Sequence, residues 1–317
     1  RLLAVFRAGR FFKKVLKDFQ PDVVVSFAVP TSGWQSLRVS KKAGVPYLFR
    51  ALDVSHKIRK SMFSPLILLA EKYIYRNADW VSCNNAAMER YCIEMGASED
   101  TTSVENPPLD LVRFSSARPD AATEIRSKLG IPSDAHVILY MGSFFYFSGL
   151  PELIQSFSFS RRDGEYLLLI GGGEQDSKLR QLVSELGLHE YVKFTGFIGF
   201  DLLADYLKVA TVAVNPMHPS AVSNTAFPNK VIQYMATGLP VVSTELEGLR
   251  MTFGDGDGLA FVDDATQVYA RAQEMLDGGN LSELGKSNQS RVQADFSIAK
   301  TVEAMSTRLS NLIEEAA

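Results

Sequence analysis

Two kinds of segment in this 317-residue chain hold residue types that do chemistry. The first kind is glycine-rich. Gly142-Ser143 with Gly149, and the run Gly171-Gly172-Gly173, each lie between an apolar strand-like run and a helix-like segment. Helix N-termini offer free N–H groups and a partial positive charge, so such junctions suit phosphate. Neither is a G-x-G-x-x-G fingerprint, so neither argues strongly for a dinucleotide, and each also reads as plain turn chemistry. The second kind is RALDVSHKIRK (50–60), which follows a strand end and supplies Arg50, Asp53, His56, Arg59 and Lys60. Asp53 or His56 is of a type that orients a hydroxyl or takes its proton, and an ordinary polar loop explains the same residues. His136, His189 and His218 show no metal-ligand spacing, and Asp255 and Asp257 flank glycines as in a turn.

The elements that must position these residues alternate in type. DVVVSF (22–27), YLFR (47–50), WVSCN (80–84) and 102–105 read as strands, separated by helices at 2–19, 33–43, 64–76 and 85–95. Ser64-Pro65 is expected to cap the third of these. The second half repeats the pattern, with strands at 136–142, 166–170, 192–195, 211–216, 240–244 and 259–262. Helices follow Gly149, then run to about 186, over 201–208, 228–237, 266–277, 281–294 and 298–315. Short, nearly continuous apolar strands alternating with helices imply parallel βαβ units, hence an α/β fold. The length suits two domains, with the boundary between about Asn106 and Pro119.

Composition narrows the class. Hydrophobic residues make up 46% and charged residues 22%, as in a globular protein. Two cysteines, Cys83 and Cys92, exclude a disulfide scaffold and fit a reducing compartment. No clean membrane span or signal peptide is visible, so a cytoplasmic location is expected. Residues 1–60 carry 13 Lys and Arg against 3 Asp and Glu, although the whole chain is at −3. The helix at 2–19 puts Arg7, Arg10, Lys13, Lys14 and Lys17 on one face. That face reads as an ordinary solvated one or as a peripheral contact with anionic membrane on the inner side of the cell membrane. Nucleic acid is not expected, because no aromatic–basic interleaving or recognised motif accompanies the charge.

The most specific segment is AFPNKVIQYMATGLPVVST (226–244). It resembles the donor-binding signature of glycosyltransferase family 4, the glycosyl transferases of group 1. NPPLDLVRF (106–114), LYMGSFFYFSGLPELIQSF (139–157), the stretch from Leu167 to Phe197, and GDGDGLAFV (254–262) fit the same family in order and spacing. The resemblance implies two Rossmann-like domains of the GT-B type. Residues 1–115 would be the acceptor side, 116–296 the donor side, and 297–317 a helix packing back on the N-terminal domain. It implies that the first part of the N-terminal domain is missing ahead of residue 1, which is Arg and not Met.

The resemblance also implies a site. Gly142 and Ser143 would lie beside the donor pyrophosphate, and Gly171, Gly172 and Gly173 with Glu174 near the nucleotide. Thr195, Gly196 and Phe197 would hold the base. Asn224, Thr225, Pro228 and Asn229 would contact the sugar, Lys230 would neutralise the leaving diphosphate, and Gln233 would bind ribose hydroxyls. The family's paired glutamates fall on Thr225 and Gln233, and its usual Arg and Lys fall on Ser143 and Ser148, so four charged positions are neutral here. The implied activity is metal-independent transfer, without cofactor, from a nucleotide diphosphate sugar to a hydroxyl on a carbohydrate or lipid-linked acceptor, with retained configuration, in envelope polysaccharide or glycolipid synthesis. Asp53 and His56 would stand on the acceptor side. A non-catalytic donor-binding subunit and a nucleotide-sugar 2-epimerase are the alternatives. The epimerase needs paired acidic residues that the sequence lacks.

Overall fold

A computed structural model describes residues 2–27, 32–58 and 62–316. The first half runs α1 (Leu2–Phe19), β1 (Val24–Ser26), α2 (Trp34–Ala43), β2 (Tyr47–Ala51), α3 (Ser55–Ile58), α4 (Ser64–Asn77), β3 (Trp80–Cys83), α5 (Ala86–Glu94) and β4 (Thr102–Val104). Its four strands form one parallel sheet in the order β1-β2-β3-β4. Alternation along β2 sends Tyr47, Phe49 and Ala51 into a core with Leu37, Ile74, Tyr75 and Tyr91. Gly44 ends α2 in the left-handed conformation, and Asn85 caps α5 by accepting from the Met88 N–H at 3.0 Å. Helix α4 begins at Ser64 with Phe63 at the cap, so Ser64 lies inside the helix and not ahead of it.

The second half runs α6 (Leu111–Ser115), α7 (Ala121–Leu129), β5 (His136–Ser143), α8 (Leu150–Ser160), β6 (Glu165–Gly172), α9 (Asp176–Glu185), β7 (Val192–Gly196), α10 (Leu203–Leu207), β8 (Val212–Asn215), α11 (Asn229–Ala236), β9 (Val241–Thr244), α12 (Glu247–Phe253), β10 (Leu259–Val262), α13 (Val268–Gly278), α14 (Leu281–Asp295) and α15 (Ile298–Ala316). Six parallel strands take the order β10-β9-β8-β5-β6-β7, in which the winding reverses direction between β5 and β8. Val137, Leu139 and Met141 face one core while Ile138 and Tyr140 face the other. Both faces are thus buried, as a parallel sheet requires.

Two contacts tie the halves together at the linker and the last helix. Leu109 N–H donates to Phe296 O at 2.8 Å, and Thr301 Oγ1 to Asn106 O at 3.0 Å. Helix α15 then returns over the first sheet, where the Arg308 guanidinium stacks 3.4 Å from the centre of the Trp80 ring and Leu312 is buried. The result is an α/β fold of two Rossmann-like domains, each with its own parallel sheet and core.

Candidate donor site at the strand ends of the second sheet

Parallel sheets bind ligands beyond the C-terminal ends of their strands, at the point where strand order reverses. Here that point lies between β5 and β8. Strand β5 ends in Gly142-Ser143, in register with Gly171-Gly172 of β6. The chain after β8 returns through the 220–228 loop to α11, which starts at Asn229 with Pro228 at its cap.

Lys230 is the cationic group that reaches the end of β5. Its Nζ donates to Tyr140 Oη at 2.9 Å and lies 4.2 Å from the centre of that ring. Tyr140 in turn donates to the Ser143 carbonyl at 3.0 Å. A Cβ on Gly142 would stand 3.0 Å from the lysine amine, so the amine packs closely over this glycine, whose φ is +142°. The residue is half-buried, but its amine is crowded by the strand end and has no carboxylate partner among the described residues. Loss of hydration pulls its pKa from 10.5 down to about 7. Burial likewise raises the Tyr140 phenol above its ordinary value. One turn on in α11, Tyr234 accepts from the Met141 N–H at 2.7 Å and fixes β5 against the helix.

The glycines divide by role. At Gly171 (φ +124°) a Cβ would fall 2.0 Å from the Gly142 carbonyl oxygen, and at Gly149 (φ +69°) 1.7 Å from Pro216 O. Both are required by backbone packing. Gly172 makes room for Phe197, whose ring edge would be 3.1 Å from a Cβ there, while Phe197 itself is 78% exposed. Gly173 is open to solvent beside the Phe144 backbone. Glu174 accepts from the Tyr146 N–H at 3.0 Å, so its carboxylate orders the 144–148 loop. Thr195 Oγ1 donates to Gly196 O at 2.8 Å, and Gly196 takes a left-handed φ of +71°.

The remaining sequence candidates are placed as follows. Ser143 is exposed at the strand tip, whereas Ser148 is buried and donates to Phe145 O at 2.7 Å, closing its own loop. The Thr225 hydroxyl turns back to Ala221 O and Val222 O at 3.3 and 3.1 Å. Asn224 Oδ1 is buried without a partner among the described residues, and Asn229 is exposed at the start of α11. Gln233 is half-buried a turn beyond Asn229. No three His, Cys, Asp or Glu side chains cluster as metal ligands among the described residues.

In the first domain Arg50, the first of the residues supplied by 50–60, is buried and not available to a ligand: its guanidinium donates to Ser82 Oγ at 2.6 Å and Glu105 O at 2.6 Å, and pairs with the Glu105 carboxylate at 3.4 Å. Asp53 is exposed and accepts from Ser55 at 3.3 Å. His56 Nδ1 meets the fully buried Glu71 carboxylate at 2.5 Å, which also accepts from the His56 N–H and the Tyr91 hydroxyl. The sequence reading missed Glu71 because it looks like any charged position on α4. Arg59 and Lys60 lie outside the described residues.

Comparison with known proteins agrees with this layout. Residues 135–277 match the family model for glycosyl transferases group 1, and residues 1–107 match that for a glycosyl transferase 4-like domain. The lipopolysaccharide core biosynthesis glycosyltransferase LpsE of Rhizobium meliloti is 30% identical over 208 residues, covering 65% of this chain and 56% of LpsE. The D-inositol 3-phosphate glycosyltransferase of Thermomonospora curvata is 27% identical over 256 residues, covering 73% of this chain and 57% of the relative. The chain thus spans little more than half the length of these curated relatives. Among solved structures, Anabaena HepE in complex with UDP superposes with a TM-score of 0.81 at 17% identity, over 96% of this chain and 82% of HepE. Sucrose-phosphate synthase from Thermosynechococcus elongatus gives 0.79 at 24% identity, over 98% and 78%. These structures share the fold, and the two family models, which between them take in both sheets, identify the chain as a member of the group 1, family 4-like glycosyltransferases.

Proposed function

We propose that the protein transfers a sugar from a nucleotide diphosphate sugar to an acceptor hydroxyl, with retention of configuration, in the assembly of an envelope polysaccharide or glycolipid. The observation that carries this is the Lys230 amine, which lacks a counter-charge among the described residues and sits against Gly142 at the N-terminus of α11. A diphosphate supplies the missing negative charge, and the α11 N-terminus adds its partial positive charge. In the reaction the bond from the anomeric carbon to the diphosphate oxygen breaks. The acceptor oxygen bonds the same face, and the acceptor proton passes to the leaving diphosphate oxygen. The protein then needs only to position the partners and stabilise the leaving charge, with no metal. HepE, a structural neighbour, is solved with UDP and with UDP-glucose, so UDP sugars are the first donors to test. Isothermal calorimetry against UDP-glucose, UDP-galactose and the GDP and ADP sugars, followed by sugar-release assays, tests the reading. Absence of binding to every one of them would end it.

A second reading, a donor-binding subunit without turnover, is favoured by Thr225 and Gln233, because the Thr225 side chain is spent within its own turn. Binding without hydrolysis or transfer would select it. The acceptor side is proposed to rest on anionic membrane through α1. There Arg10, Lys13, Lys14 and Lys17 are exposed, along with Phe11 and Phe19 at 63% and 82%. No helix among the described residues is long and apolar enough to cross a membrane. Vesicles of phosphatidylglycerol should pellet the protein at low salt and those of phosphatidylcholine should not. Equal recovery from both removes this contact.

A further inference from the structure

We infer that Asn85 is a positioning residue that holds the sugar-binding loop, 224–229, to the N-terminal domain. The assignment of that loop to the sugar rests on the function proposed above. The attachment itself rests on geometry.

Asn85 opens α5 and is fully buried. Its carboxamide faces two ways. Oδ1 accepts from the Met88 N–H at 3.0 Å, which caps α5, while Nδ2 donates to the Thr225 carbonyl at 3.0 Å and to Asn84 Oδ1 at 2.8 Å. Asn84 continues the link to the end of β2 by donating to Leu52 O at 3.2 Å. From the other side the same loop is held by α12, whose Gly248 N–H donates to Asn224 O at 2.8 Å. Gly248 packs closely here: a Cβ there would stand 3.0 Å from both Asn85 Oδ1 and Ala226 O. One turn along α5, Arg90 pairs with Glu247 of α12. Residues 224–226 are therefore clamped between an N-terminal-domain helix and a C-terminal-domain helix, through backbone atoms and one buried amide. The Thr225 hydroxyl is used locally, so the carbonyl is this residue's link across the domains. A loop placed this way follows the relative position of the two domains, and its register against Lys230 follows with it.

Asn85→Asp separates the two jobs of the side chain. Asp caps a helix as well as Asn does, so α5 is retained. The donor to Thr225 is lost and a carboxylate is set against a carbonyl oxygen. Gly248→Ala is the second variant, because its Cβ would stand 3.0 Å from Asn85 Oδ1 and Ala226 O and so crowds the amide and the loop together from the α12 side, with the Nδ2 donor kept. Hydrogen exchange of the peptide 222–228, measured without ligand, should quicken at least tenfold in both. UDP affinity should stay within twofold, since the nucleotide half rests on β5–β7, and kcat for transfer should fall at least tenfold with little change in KM. Wild-type exchange rates at 222–228 in both variants would overturn the assignment, as would a fall in UDP affinity parallel to kcat. If exchange quickens but the parent protein turns over no sugar nucleotide, the attachment stands and the proposed function fails.

Discussion

The lysine at the donor crevice makes nucleotide-sugar binding pH-dependent with a defined sign. Burial beside Tyr140 lowers the Lys230 pKa from 10.5 to about 7, so above neutrality the ligand-free amine is mostly uncharged. A bound diphosphate restores the charge and returns the pKa toward its ordinary range. Binding therefore takes up a proton between about pH 7 and pH 10, and affinity falls as pH rises through that window. With a free value near 7, about three-quarters of the molecules carry the charge at pH 6.5 and about 3% at pH 8.5, so affinity should drop roughly 25-fold between them. The diphosphate of a nucleotide sugar is doubly esterified and does not titrate in this range, so the slope reports on the protein. Calorimetry with UDP-glucose in two buffers of different ionisation enthalpy should show about one proton taken up at pH 8.5 and about a quarter at pH 6.5. Lys230→Met keeps the apolar stem, removes the slope, and weakens binding at pH 6.5 by about 1.5–3 kcal/mol, the range for charge-assisted hydrogen bonds. A flat pH profile in the parent protein, or a slope that survives Lys230→Met, refutes the argument.

Other consequences are structural. The same lysine makes the ligand-free fold gain stability as pH rises from about 7 toward 10.5, because the unfolded chain holds a proton that the folded one has released. Thermal melts across that range should show the gain in the parent and lose it in Lys230→Met. Gly171→Ala and Gly149→Ala should both be severely damaging in the donor domain, since their Cβ atoms would fall 2.0 Å from the Gly142 carbonyl oxygen and 1.7 Å from Pro216 O. Gly164→Ala, at φ +80° with nothing within 4 Å, should cost only about 1–2 kcal/mol of backbone strain in the same denaturation assay. Arg50→Met leaves the Glu105 carboxylate buried and unpaired and should cost about 3–5 kcal/mol by urea unfolding, with much of that recovered on adding Glu105→Gln.

Much of the fold is legible locally. Most of the strands are short apolar runs, because a parallel sheet is covered on both faces and tolerates few polar positions; β4, Thr102–Val104, is an exception. The elements that escape notice are short and held by partners far away in sequence. Helix α12 is seven residues long and depends on buried Leu249 and Phe253. The four residues of α3 are pinned by the Glu71 carboxylate on α4. Helix α7 carries only two buried residues in nine, Ala121 and Ile125, too few for a clear helical stripe.

The site divides along the same line. Glycines at strand ends and a lysine at a helix start are local features, and the structure brings Gly142 and Lys230 into contact. What each residue does depends on partners that no local pattern names. Lys230 meets a tyrosine 90 positions away, Arg50 a glutamate 55 away, and Asn85 a carbonyl 140 away. The glycine run shows the cost of reading locally, since bare backbone is equally a sign of a bound phosphate and of a tight sheet. Gly171 is demanded by a paired strand whatever binds nearby. Gly142 is different: its φ of +142° already favours glycine, and the nearest atom a side chain there would meet is the lysine amine and not backbone. A small residue argues for a ligand only when what fills its vacancy is a group that the ligand needs.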